Sequence, residues 1–532
     1  MITIIIAILL ILVIIYILKR IKHSKKKVIL QVGPSLKDKG GMVTVMESII
    51  NSPLSKKYNI IHIPTYVYGI KFLLFFASIF RIIFYKLIYR VELVHIHMAS
   101  YGSFYRKSII ISLCKMLHIK VVLHCHGACF EKFYDSVKES KKEYIKKTFA
   151  KTEKVIVLSE SWKEFFKTIV DENKIAVLYN SVNVPNKIDR NDLNKVPTGL
   201  FLGRIGKRKG AYDLIEAVKA LKNEGITLKI LMAGDGEIQK AKDIIKKENI
   251  EDRIEVLGWI DNKQKEEYLK SSDFYILPSY DEGMPMSVLE AMSYSLPVIT
   301  TDVGGIPEII QNEENGILIK PGDSKEIAKT IKQLLNDEKL RQKISKNAYK
   351  TIYNKFNLDN YINSLDKIYK KIKRKNIKVC LTSSSGGHFM QLKQLFKATN
   401  QYNTFIFTEK NEISKGYSNK YKMNYLIQQE RKNVGFIFEF LYNIIKAFII
   451  IFAKNPDVVI STGAGATTFV CLFVKIFGGK VIYIESFAKI NSKTITGKIV
   501  YKFADEFYVQ WEEMKKLYPK AKYNGGIYWC YL

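Results

Sequence analysis

The chain has 532 residues, too many for one hydrophobic core, and its apolar (47%) and aromatic (12%) fractions are those of a folded protein, so three globular units are expected and a disordered chain is excluded. Its formal net charge of +33 admits two anionic partners, nucleic acid and a membrane surface. The lysines are spread along the chain among Ile, Asn and Tyr, without a helix-turn-helix, zinc-finger or RNP-type signature, so no nucleic-acid partner is expected.

Residues 1–18, MITIIIAILLILVIIYIL, carry no charge and have just the length to cross a bilayer core of about 30 Å as a helix. KRIKHSKKK follows. With no basic segment before it and no small-residue cleavage site after it, the run reads as a retained single-pass anchor occupying 1–27. By the positive-inside rule the remainder is expected on the cytoplasmic face of the inner or plasma membrane.

From Val28 the pattern becomes strand, loop, helix. VILQVG is a buried strand, SLKDKGG a loop, and MVTVMESII a helix opening after Gly40 and Gly41, where the backbone has room to approach a phosphate. IKFLLFFASIFRIIFYKLIYR (70–90) places Lys71, Arg81, Lys86 and Arg90 within about half of a helical circumference. It fits either the membrane interface or a core helix with solvated cations. VELVHIHMA and KVVLHCHG are buried strands ending in polar residues. Ligands in such sheets bind beyond the strand C-termini, which makes His126 and Gly127 cleft candidates.

Six cysteines without framework spacing fit a reducing compartment. Cys125 and Cys129 lie near His95, His97, His124 and His126, which makes a zinc site conceivable. No paired C-x-x-C supports one, so the histidines are read as strand-end residues over a cleft and no metal is expected.

VIVLSE, IAVLYN, TGLFLGR, LKILMAGDG and IEVLGWI continue the alternation, which means doubly wound α/β. The polar stretch 180–195 reads as a hinge. It separates a unit at 28–187 from one at 188–373, closed by a basic-ended helix over 358–374. In the second unit a strand ends at Gly203-Arg204, and Lys209-Gly210 precede a helix: two cations at a strand-to-helix turn suit a diphosphate. In SYDEGMPMSVLEAMSYSLPVIT (279–300), Glu282 stands before a helix and Glu290 about two turns into it. A helix N-terminus attracts phosphate, and carboxylates accept paired hydrogen bonds from vicinal hydroxyls, so this stretch is built for a sugar nucleotide.

GRIGKRKGAYDLIEA, MAGDGE, VLGWI, PSYDEGMPMSVLEAMSYSLPVITTDVGGIPEII and NGILIKPGD together resemble the retaining glycosyltransferases of family four, over roughly residues 28–373. That resemblance implies the GT-B fold, two Rossmann-like domains facing a cleft, and a hexosyltransferase that needs no metal or cofactor beyond its UDP- or GDP-linked sugar donor. Arg204 and Lys209 would hold the donor diphosphate, Glu282 the transferred sugar, and Glu290 the ribose. Gly283, Met284 and Pro285 would line the sugar and phosphates. Gly41 would close over the diphosphate, and His126 would sit near the reacting carbon.

A third strand–glycine loop–helix start opens at Ile377 with IKVCLTSSSGGHFMQLKQL and continues through VVISTGAGATTFVCLFVKIFGGKVIYIESFAKI. Residues 377–532 resemble the membrane subunit of the two-part UDP-GlcNAc transferase of dolichol-linked glycan synthesis and bacterial capsule or exopolysaccharide proteins of that type. They are also similar to the acceptor-binding N-terminal half of the peptidoglycan transferase MurG. By that resemblance Gly386, Gly387 and His388 would face lipid phosphates, Gly463 and Gly465 would form a second phosphate loop, and Glu485 would sit in the cleft. No second E-x7-E or donor loop follows Ile377, so a separate donor-binding, MurG C-half-like subunit is expected as partner. Within GFIFEFLYNIIKAFIIIF (435–452), Glu439, Asn443 and Lys446 form one polar stripe; the remainder fits lipid or a core.

The whole reads as a membrane-anchored enzyme of capsule or exopolysaccharide assembly. It would transfer a sugar with retention to a lipid-linked, undecaprenyl-type acceptor and recruit a second, inverting transferase. A non-catalytic membrane scaffold is the rival; the intact set Arg204, Lys209, Glu282 and Glu290 argues against it for the first catalytic unit, and for the third unit it stays open.

Overall fold

Three parallel sheets are assembled from the short apolar runs of the sequence. The structure, a computed structural model, describes residues 27–66, 71–89, 91–186, 193–372, 377–428, 436–465 and 467–528. The first sheet contains β1 (Lys27–Gly33), β2 (Tyr58–Pro64), β3 (Val91–Met98), β4 (Val121–Cys125), β5 (Lys154–Val157) and β6 (Ile175–Val177), in the order β2-β1-β3-β4-β5-β6. The second contains β7 (Thr198–Leu202), β8 (Lys229–Ala233), β9 (Ile254–Gly258), β10 (Phe274–Leu277), β11 (Val298–Thr301) and β12 (Ile317–Ile319), in the order β12-β11-β10-β7-β8-β9. The third contains β13 (Lys378–Ser383), β14 (Asn403–Glu409), β15 (Met423–Leu426), β16 (Val458–Ser461), β17 (Lys480–Ile484), β18 (Glu506–Val509) and β19 (Lys522–Tyr523), in the order β15-β14-β13-β16-β17-β18-β19.

Strand order reverses once in each sheet: between β1 and β3, between β7 and β10, and between β13 and β16. At such a switch point the loops leaving adjacent strand C-termini diverge and open a crevice, where open α/β sheets bind ligands. Burial explains why the strands read as unbroken apolar runs, since helices cover both faces of a parallel sheet. Leu200, Phe201, Tyr275, Ile276, Leu277, Val298 and Ile299 are all buried in the core of the second sheet.

The helix Leu358–Lys371 follows the second sheet in the chain but packs on the first. Its Tyr361, Leu365 and Tyr369 are buried among Ile29, Leu93, Val122 and Ile156. Each such burial is worth roughly 1.5–3 kcal/mol. The closing helix expected from the sequence therefore fastens the second domain to the first. The chain divides into two compact units, one built on the first and second sheets (29–80 and 93–372), the other on the third.

The expected transmembrane helix is corrected. Residues 1–18, on which it rested, lie outside the described residues, and among the described residues no helix is long and apolar enough to cross a membrane. The helices Lys71–Ile88 and Phe436–Lys454 carry Arg81 and Lys86, and Glu439, Asn443 and Lys446, which a hydrocarbon core penalises. In the second of these Asn443, the middle of the polar stripe, faces inward, while Glu439 and Lys446 are half-buried. Asn443 is fully buried and exchanges hydrogen bonds with the backbone of Ile427 (2.9 and 2.8 Å), while Phe438, Leu441, Ile445 and Ile449 are exposed. Of the hinge read over 180–195, residues 187–192 lie outside the described residues.

Candidate functional site

A cavity of 890 Å³ opens at the switch points of the first two sheets. Its walls include Gly41, His126, Arg204, Lys209, Glu282, Gly283, Met284, Pro285 and Glu290, all singled out in the sequence. Each is placed by the segment leaving a strand. β1 leads through a loop to the helix Gly41–Ile50, whose first N–H groups have no partner within the helix. β7 delivers Arg204 and, through one turn of 3₁₀ helix, Lys209. β10 delivers the loop 278–285 and then the helix Met286–Ser293, whose N-cap is Pro285.

The charges form linked pairs. Lys209 donates through Nζ to Oε1 of the buried Glu282, which also accepts from Ser279 Oγ at 2.7 Å. Lys265 Nζ lies 2.6 Å from Glu290 Oε1. Arg204 is two-thirds exposed and has Asp235 at 3.6 Å. One cation is thus tied to the buried carboxylate while another stays open to the cavity.

Glycine at 304 is required by the backbone. Its φ is +60°, and a Cβ there would stand 1.7 Å from the carbonyl oxygen of Glu282. The turn after β11 therefore lies directly against the turn that holds Glu282. Gly283 is packed by Trp162, so that a Cβ would come within 3.2 Å of its ring. Asn180, at the end of the first domain, donates through Nδ2 to the carbonyl of Met284 at 2.8 Å. Glu308 accepts from the amides of Glu160 and Ser161 (2.8 and 2.9 Å) and completes the N-terminus of the helix Glu160–Lys167 from across the domain boundary.

His126 follows β4, and its Nε2 is 2.9 Å from Nδ1 of His97. Removal from water pushes its pKa down to about 3, so the ring that lines the cavity is neutral at physiological pH.

The third sheet repeats the arrangement at its own switch point. Gly386, Gly387 and His388 follow β13, and Gly463 and Gly465 follow β16. His388 ties the two loops together: its Nδ1 is 2.7 Å from the carbonyl oxygen of Thr462, whose hydroxyl donates back to the His388 carbonyl at 2.8 Å. Ser384 N donates to the Gly463 carbonyl (2.9 Å), and Gly386 and Gly387 are exposed. Glu485 is placed differently from the expectation. It is 1% exposed, and its oxygens accept from Ser486 N (2.9 Å), Thr494 Oγ1 (2.8 Å) and Tyr518 OH (2.8 Å). It therefore fastens the 486–497 loop to the core instead of facing a cleft.

Sequence reasoning missed Lys265, Asn180, Asp235 and Trp259, which also line the cavity. Trp259 stands under Lys39, whose Nζ lies 4.4 Å from the ring centroid. It lies in the VLGWI stretch already read as a strand end, and an exposed Trp there was the available signal.

Three segments of the chain match known protein families. Residues 26–185 match the family described as Glycosyltransferase Family 4, residues 184–351 match Glycosyl transferases group 1, and residues 379–527 match Oligosaccharide biosynthesis protein Alg14 like. An uncharacterized glycosyltransferase of Methanocaldococcus jannaschii is 29% identical over 286 residues, 53% of this chain and 76% of its own length. The capsular polysaccharide biosynthesis glycosyltransferase CapM of Staphylococcus aureus is 30% identical over 230 residues, 40% of this chain and 60% of its own. Among solved structures, sucrose-phosphate synthase from Thermosynechococcus elongatus superposes with a TM-score of 0.56 at 17% identity, covering 65% of this chain and 99% of its own. Anabaena HepE, solved in complex with UDP, gives a TM-score of 0.52 at 15% identity, covering 65% of this chain and all of its own. At these identities the likeness is one of fold.

Proposed function

We propose that the chain, whose segments match group 1 glycosyltransferases and Alg14-like proteins, transfers a hexose from a UDP- or GDP-linked donor, with retention, to a lipid-linked acceptor in capsular or extracellular polysaccharide assembly. The observation that carries this reading is the convergence of Arg204, Lys209, Glu282, Glu290, Gly41 and His126 on one cavity at two switch points. Arg204, Lys209 and the helix N-terminus at Gly41 stabilise the departing diphosphate, the charge that grows in the transition state. Glu282 orients the sugar hydroxyls and Glu290 binds the ribose diol. The acceptor attacks from the face the diphosphate leaves, and the donor phosphate takes its proton, so no metal is required.

In this reading the Alg14-like domain presents the lipid phosphates to its exposed Gly386–Gly387 loop and docks a separate donor-binding subunit. Two helices with exposed apolar residues beside cations support association with the cytoplasmic face of a membrane: Leu73, Phe80 and Phe84 with Arg81, and Phe438, Leu441, Ile445 and Ile449 with Lys446.

Calorimetric titration with UDP and GDP tests the donor site. The nucleotide that binds should bind about 10–100-fold more weakly to Glu290→Ala, the loss of hydrogen bonds to a charged group. The variant should also cease to distinguish it from its 2′-deoxy form. Unchanged affinity and unchanged discrimination would remove Glu290 from the site.

A further inference from the structure

Behind His126, in the core of the first sheet, lies a feature that donor binding does not use. β3 carries His95-x-His97, a second His-x-His runs from His124 in β4 to His126 just past its end, and the register sets His97 opposite His124 and His95 opposite Val122. Side chains alternate along a strand, so His95, His97 and His124 share one face of the sheet. The ring centroids form a triangle of 4.3, 5.3 and 5.4 Å, and all three side chains are fully buried.

The hydrogen bonding is lopsided. His95 Nδ1 lies 2.8 Å from the hydroxyl of Tyr369, and His97 Nδ1 lies 2.9 Å from Nε2 of His126. The opposite nitrogens, Nε2 of both rings, have no hydrogen-bond partner, and neither nitrogen of His124 has one. Buried polar atoms are nearly always paired, and four unpaired ring nitrogens on three neighbouring buried imidazoles are costly. Each ring offers one ligand nitrogen, and these three atoms lie within 4.8 Å of one another.

We propose that His95, His97 and His124 bind one borderline divalent transition-metal ion of the zinc class. Imidazole nitrogen is the donor such ions favour. A metal-bound histidine characteristically engages its other ring nitrogen with a fixed polar partner, and Tyr369 and His126 are those partners for His95 and His97. With Zn–N bonds of about 2.0–2.1 Å, three ligand nitrogens stand roughly 3.3 Å apart, so closing on an ion asks for at most about 1.5 Å of ring movement. The ion takes no part in sugar transfer. Metal on His97 Nε2 leaves Nδ1–H to donate to His126 Nε2, so His126 carries its own proton on Nδ1. The site would thereby set the tautomer of the ring lining the donor cavity. It would also tie β3, β4 and the closing helix together through Tyr369.

The test is zinc uptake by the tag-free full chain after stripping with a strong chelator, followed by competition against a chromophoric zinc indicator and by elemental analysis. One zinc per chain is expected. The affinity should fall at least tenfold in His95→Gln and His124→Gln, and about 10–100-fold in Tyr369→Phe, which keeps the core filled. Should the histidine variants not fold, X-ray absorption on the zinc-loaded wild type decides, with imidazole nitrogens at about 2.0–2.1 Å expected. Folded wild type that takes up no stoichiometric zinc would overturn the proposal, as would uptake indifferent to His124→Gln and Tyr369→Phe, or an absorption spectrum without imidazole scattering.

Discussion

Lys209 and Glu282 show how the candidate chemistry and the stability of the second domain share atoms. Their side chains are 13% and 6% exposed, so removing the cation leaves a buried carboxylate unpaired. Lys209→Ala should cost about 3–5 kcal/mol, read as a lowered melting temperature. Arg204→Ala should behave oppositely. Its side chain is two-thirds exposed, so stability should change by less than about 0.5 kcal/mol, while sugar transfer falls about 10²–10³-fold, as when one charge-stabilising donor is deleted. Gly304→Ala tests the close approach of the two turns. The left-handed backbone and the Cβ–carbonyl clash should displace Glu282 and reduce transfer at least about tenfold, with a stability loss on the order of 1–3 kcal/mol. The two cations and two acids were legible in the sequence because each sits in a local strand–turn–helix context. Lys265 was not, because it meets Glu290 from another helix, 25 residues away. Glu485 was misplaced for a related reason: an acid just after a strand reads the same whether it faces a cleft or, as here, anchors a loop through Thr494 and Tyr518.

At the scale of elements, the alternation of short apolar runs with helices made the doubly wound sheets readable, and the switch points then fix where the loops gather. What alternation alone does not give is which side of a helix meets the core. The stripe Glu439–Asn443–Lys446 was visible in the sequence, but the inward placement of Asn443 depends on a partner 16 residues away, the backbone of Ile427. The exposed face that results carries a prediction. Replacing Ile445 and Ile449 by Ser should weaken sedimentation with anionic vesicles by about tenfold or more and leave the helix content unchanged. The histidine strands carry another. Burial pushes the pKa of His95 and His126 from 6.5 down to about 3, with the charge of His126 adding to the effect on His95. Between pH 3 and 6.5 the unfolded chain therefore binds protons that the folded chain refuses. This contribution to stability is full above about pH 6.5 and is lost as the pH falls towards 3. Denaturation of the metal-free chain at pH 4.5 and 7.5 should show the difference, and His95→Phe should reduce it.

At the scale of the molecule, one chain carries segments that match group 1 glycosyltransferases and Alg14-like proteins, each with glycine-bearing loops at a switch point. Arg204, Lys209, Glu282 and Glu290 all line the cavity of the first unit, which is where the proposed transfer would take place. The most direct measurement is transfer of labelled sugar from a panel of UDP- and GDP-sugars to an undecaprenyl-diphosphate-linked acceptor, run with wild type and Arg204→Ala side by side. An α-linked product from one donor is expected with the wild type, and a loss of about 10²–10³-fold with the folded variant. Equal turnover by the two proteins would contradict it.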